Sequence, residues 1–101
     1  MAGQMFNKCA YHTAYQQEKE RIRGHVYATI KRICDMKAEH KVVPEVATER
    51  ELSEFFEDKH WKMLQSWVEQ GIATKTRGVC YNLYTINYHE YGRYEQRLRN
   101  I

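Results

Sequence analysis

The stretch from Thr48 to Ile86, TERELSEFFEDKHWKMLQSWVEQGIATKTRGVCYNLYTI, decides the fold, because two helical patterns, a glycine stop and a two-stranded pattern follow one another in it. It opens on Thr48-Glu49-Arg50-Glu51. A Thr hydroxyl at an N-cap accepts the backbone N–H three residues on while Glu51 reaches back, a capping box, so a helix is predicted to start at Thr48. Leu52, Phe55 and Phe56 fall at i, i+3 and i+4 on one apolar face, leaving Arg50, Glu51, Glu54 and Glu57 to solvent. A second helix follows with Asp58 as its N-cap and with Trp61, Leu64, Trp67 and Val68 at helical spacing, turned inward. Gly71 then stands where a left-handed residue ends a helix, and Ile72 packs back on the last turn. From Ile72 the composition turns to β-branched and aromatic residues on both sides of Arg77-Gly78. This predicts a hairpin of Ile72–Thr76 with Val79–Ile86, turned either at that pair or in a longer loop around Gly78.

Upstream, Ile22, Val26, Ile30, Ile33 and Lys37 step by three or four residues between Gln16 and His40, the pattern of a long amphipathic helix. Gly24 lies inside it and costs about 1 kcal/mol relative to Ala, which marks a bend or a close helix contact. Residues 1–15 show no clear period and are expected to form a lead-in segment or arm, irregular or weakly helical. Pro44 biases Val43 away from helical backbone, so the first helix ends before it. Val42, Val43 and Val46 are candidates for a short strand added to the hairpin. Downstream, Asn87-Tyr88-His89-Glu90 offers a second capping box, and Tyr91, Tyr94 and Leu98 recur on one stripe of a short helix within residues 87–101. That tyrosine stripe is expected to dock on the first helix or on a second copy of the chain.

With 101 residues, 43% apolar and 13% aromatic, the chain fits one core and is poor in the Gly and Pro of disordered polypeptides. It contains no run of about 18 apolar residues and no basic-plus-apolar leader, so a cytoplasmic protein without membrane association is expected. Cys9, Cys34 and Cys80 are odd in number and far apart. Free thiols are expected, with Cys34 inside a helix and Cys80 inside a strand. Cys9-x-x-His12 lacks a second ligand pair, so neither a metal nor a cofactor is expected. Charge is uneven: residues 1–43 carry eight Lys and Arg against four Asp and Glu, residues 44–71 three against seven, and residues 72–101 five against two. Basic flanks thus enclose an acidic centre, a mixed signature for nucleic acid.

The order helix, helix, helix, hairpin, with Trp67-Val68-Glu69-Gln70-Gly71-Ile72 running straight into the hairpin, resembles the winged helix-turn-helix domains of bacterial, archaeal and phage regulators. The resemblance covers about residues 16–86 and implies an α+β, mainly helical fold: three helices plus a β-hairpin wing, followed by a short C-terminal helix. It departs at Glu57-Asp58-Lys59-His60, which has no glycine between the second and third helices. The resemblance further implies that the helix from Lys59 to Gln70 enters the major groove of double-stranded DNA. His60, Lys62, Gln65 and Ser66 are its candidate contacts, with Met63 and Glu69 on the same side. Gln65 suits an adenine edge, while Lys62 and Ser66 suit phosphate or base acceptors. Lys75, Thr76 and Arg77 beside Gly78 are the candidate phosphate contacts of the wing, and Thr74 adds a hydroxyl.

The function expected from these residues is sequence-specific binding of double-stranded DNA by a homodimer, as in a small transcription regulator or a phage or plasmid control protein. The rival is a winged-helix protein-interaction module that uses the acidic second helix and the tyrosine tail. Tyr81, Tyr84, Tyr88, Tyr91 and Tyr94 suit packing better than stacking on single-stranded bases. The five histidines are scattered and no nucleophile or phosphate-loop motif occurs, so no enzyme is expected.

Overall fold

The computed structural model describes the backbone of residues 2–100 and the side chains of residues 13–100. Helix α1 (Ala2–Glu39) leads through a loop to strand β1 (Ala47–Thr48). Helices α2 (Glu49–Ser53) and α3 (Asp58–Gln70), strands β2 (Ala73–Arg77) and β3 (Asn82–Ile86) and helix α4 (Tyr88–Arg99) follow. The protein is thus α+β and mainly helical, with one antiparallel sheet in the order β1-β3-β2. Register pairs Ala73 with Ile86, Lys75 with Tyr84 and Arg77 with Asn82 across the hairpin, and Ala47 with Tyr84 on the other side of β3.

Two helices end by the same hydrogen-bond pattern. At the end of α3, Gly71 N–H donates to Val68 O and Ile72 N–H to Trp67 O, with Gly71 at φ 78°. At the end of α1, Lys41 N–H donates to Ala38 O and Val42 N–H to Lys37 O, with Lys41 at φ 57°. Both are Schellman ends, one made on glycine and one made at a cost on lysine. Residues 2–15, expected as a lead-in, continue the backbone of α1, with no proline before Pro44 to stop it. Gly24 marks no close contact, since a Cβ built there meets nothing within 4 Å, and α1 runs through it without interruption.

The capping box forms as expected. Thr48 Oγ1 accepts Glu51 N–H at 3.1 Å, and Glu51 Oε1 accepts Thr48 N–H at 2.9 Å. Of the apolar trio on α2, Leu52 and Phe56 are buried, but Phe55 is 54% exposed because α2 stops at Ser53 and the chain turns outward. The core joins Val26, Ile30 and Cys34 of α1 to Leu52, Leu64, Trp67, Ile72, Ala73, Tyr84, Ile86 and Tyr91. The C-terminal helix belongs to it: Tyr91 stacks on Tyr27 of α1 at 4.2 Å between ring centroids and meets Trp67 edge-on at 5.3 Å. The tyrosine stripe is therefore spent within the chain. Asn87 does not close the expected second capping box. Its side chain instead donates to Gly71 O at 2.8 Å and accepts Thr74 Oγ1–H at 3.0 Å, while its own N–H donates to Ile72 O.

The hairpin differs from expectation at its tip. The turn is the longer loop, residues 78–81, closed by Gly78 N–H donating to Tyr81 O at 3.0 Å. A Cβ on Gly78 would stand 2.4 Å from that oxygen, so the close approach requires glycine. Val79, Cys80 and Tyr81 thus form an exposed tip rather than the start of a strand, and Cys80 is exposed while Cys34 is buried. A third strand does join the hairpin, but it is β1, Ala47–Thr48: Val42, Val43 and Val46 all stay outside it, Val42 and Val43 in the exposed loop before Pro44. No helix among the described residues is long and apolar enough to cross a membrane.

Candidate nucleic-acid interface

Helix α3 presents Asp58, Lys62, Gln65 and Glu69 on one outward stripe, since these positions step by four, three and four. Lys62 and Gln65 are exposed, and Lys62 has no ion-pair partner among the described residues. Ser66 is half-buried at the edge of the stripe, where its hydroxyl accepts the Gln70 amide at 2.8 Å. Lys59, at the start of the helix, is already engaged by Glu18 at 3.5 Å and Glu57 at 3.7 Å.

His60 does not belong to this surface, a correction to the sequence expectation. It is 8% exposed, with its ring 4.3 Å from that of His25 and 5.6 Å from that of Phe56. Its Nδ1 accepts Glu57 N–H at 2.9 Å, which satisfies a free donor at the start of α3 and makes Glu57, not Asp58, the N-cap. Burial, then the adjoining His25 and Lys59, hold its pKa below the usual histidine range, so the ring is neutral. Met63 likewise turns toward the core.

On the hairpin, Lys75, Thr76 and Arg77 are all exposed, and Lys75 and Arg77 have no ion-pair partner among the described residues. By register Lys75 and Arg77 share the sheet face of Tyr84 and Ile86, the face that packs on the helices, whereas Thr76 lies on the opposite face. They lie along β2, the edge strand that leaves α3 through Gly71, and not on the tip. The tip itself is apolar. Thr74 is taken by Asn87.

Asp58 and Glu69, on the stripe itself, are exposed and make no ion pair among the described residues, whereas the acids beside it are engaged. Glu49 accepts the Asn82 amide at 2.9 Å, and Glu57 is beside Lys59. Glu51 accepts Lys37 Nζ at 2.6 Å as well as Thr48. Burial raises the pKa of Glu51, but the Lys37 ammonium and the Thr48 donors outweigh it and hold it below the usual carboxylate value. Sequence reasoning missed the Lys37–Glu51 pair, although a signal existed. Lys37 falls on the apolar stripe of α1, and a lysine in that position needs a partner. Cys9 and His12 lie outside the residues whose side chains are described, and among the described residues no three His, Cys, Asp or Glu gather as metal ligands. The chain matches no protein-family model, no curated protein and no solved structure.

Proposed function

We propose that the protein is a winged-helix binder of double-stranded DNA, in which α3 enters the major groove and β2 lies against the phosphates. The observation that carries this is the set Lys62, Gln65, Lys75 and Arg77: exposed groups on one helix and on the edge strand joined to it, whose cations lack partners among the described residues. Such a layout lets Gln65 meet an adenine edge while Lys62, Lys75 and Arg77 replace counterions on the backbone. The arrangement of one strand before α2 and a hairpin after α3 supports the winged-helix assignment. Function is by occupancy of a site, as in a small cytoplasmic regulator or a phage or plasmid control protein, without catalysis. The test is fluorescence anisotropy with a random duplex from about 50 to about 200 mM salt, where contacts to phosphate make log K fall steeply with log salt. Absence of any affinity at the lowest salt refutes the proposal.

A second reading, a protein-contact module, has its own support. Val43 and Val79 are exposed apolar residues of the loop before Pro44 and of the hairpin tip, and both line one shallow surface with Tyr81. An apolar hairpin tip is poorly suited to phosphate and well suited to another protein. Alanine at Lys75 and Arg77 leaves such a contact intact.

A further inference from the structure

Between α1 and α2 runs an open groove of about 590 Å³. Its floor is apolar, with Ile33, Met36 and Phe55 among the residues that line it, and Met36 and Phe55 are 50% and 54% exposed. The backbone of Phe55 is pinned there, because His25 Nε2–H donates to Phe55 O at 2.7 Å. The two lips carry opposite charge. On the α1 side stands Arg32, two helical turns beyond His25; on the α2 side stands Glu54. Both are exposed, and neither makes an ion pair with the other or with any other described residue. The second acid of the α2 lip, Glu51, is already held by Lys37.

We infer that this groove is the contact surface for a second copy of the chain, related by a two-fold axis that runs along the groove between the two floors. The charge arrangement selects that occupant. A surface with a basic lip and an acidic lip about an apolar floor becomes complementary to itself on a half-turn, since the rotation lays each α1 lip on the other copy's α2 lip. Arg32 of each copy then meets Glu54 of the other, and Phe55 and Met36 leave water. A stable contact takes about 800 Å² from each partner, roughly a tenth of this chain's 7758 Å² of surface, so the contact extends from the groove onto the flanking exposed residues of α1 and α2. The tyrosine stripe of α4 is not available for the purpose, being packed on Tyr27 and Trp67. No residue proposed to touch DNA lines the groove. The inference is therefore independent of the DNA reading.

The test is sedimentation equilibrium from micromolar to near-millimolar chain, on the full protein and on the variants Arg32→Glu and Glu54→Arg. Both positions are exposed, and circular dichroism checks that the helix content is unchanged. The unsubstituted chain should dimerise, and each single variant should raise the dissociation constant by at least about tenfold, because each places like charges at both contacts of the two-fold. Mixing the two variants should restore association as a heterodimer, since every contact then pairs opposite charges. A partner of any other kind gives no such rescue. A monomer at every concentration overturns the inference, as do variants that dimerise unchanged or a mixture that stays monomeric. Anisotropy with duplex DNA on the same samples keeps the two proposals apart: loss of DNA affinity in a chain that still dimerises refutes only the DNA reading.

Discussion

Lys37 of α1 and Glu51 of α2 meet at 2.6 Å, and the same carboxylate oxygen accepts the backbone N–H and hydroxyl of Thr48. One oxygen thereby closes the cap of α2 and ties that helix to α1. Substituting Glu51→Ala removes both functions and should cost about 1–2 kcal/mol in chemical denaturation. The pH dependence has a fixed sign. A carboxylate whose pKa is lowered by folding gives stability that is present above the unfolded value of 4.5 and is lost as pH falls through the folded value. The advantage of the unsubstituted chain over Lys37→Met should therefore be full at neutral pH and shrink below about pH 4.5. An advantage that persists unchanged at lower pH contradicts the pairing.

His60 makes the opposite kind of demand on the solvent. Its Nδ1 accepts a backbone N–H, so protonation both removes an acceptor and puts a charge beside His25. Because folding lowers its pKa from 6.5, its contribution is complete above that pH and declines as pH falls toward the lowered value. Denaturation midpoints should drop between neutral pH and about pH 5. His60→Gln should have a shallower profile over that window, and an equal slope in both proteins rules out His60 as its source.

On the proposed DNA surface, Lys75→Ala with Arg77→Ala should weaken binding to all duplexes alike and flatten the plot of log K against log salt by about 2, one for each phosphate that is no longer neutralised. Glu69, on the outward stripe of α3, repels the same backbone, and Glu69→Gln should tighten binding. If the double variant keeps the full slope, β2 does not touch the phosphates.

Two backbone substitutions, one within α1 and one at its end, should stabilise the protein. Gly24→Ala enters open space inside a helix and should contribute about 1 kcal/mol. Lys41→Gly relieves a left-handed lysine at φ 57° and should contribute about 0.5–1 kcal/mol, after the entropy glycine adds to the unfolded chain. For a chain of this size, each kcal/mol corresponds to roughly 4–8 °C in Tm by calorimetry. A lower Tm for Lys41→Gly shows that its side chain contributes more than the strain costs.

What could be read from the sequence was local chemistry. Thr48 with Glu51, and Gly71 with Ile72, announce their helix ends because the caps are made by residues three to five apart. The order of the elements follows from those stops. What could not be read depends on residues brought together from afar. Phe55 has the spacing of a core residue, but α2 ends two residues before it. His60 sits among polar neighbours in sequence and faces inward because His25, thirty-five positions upstream, packs against it. Tyr81 has strand composition, yet the approach of Gly78 to its carbonyl turns it into the tip. Of the candidate site, the exposure of Lys62, Gln65, Lys75 and Arg77 was legible, because polar side chains on an outward stripe or an edge strand need no distant partner to be exposed.

Asn87 ties Gly71, Ile72 and Thr74 together from beyond the end of β3. All the side chains proposed to meet DNA precede it in the chain, yet the joint between the helix and the strand that carry them is latched from downstream. A fragment ending at Ile86 would hold every proposed contact and lack this clasp, so part of what holds the joint between α3 and β2 comes from the last residue before α4.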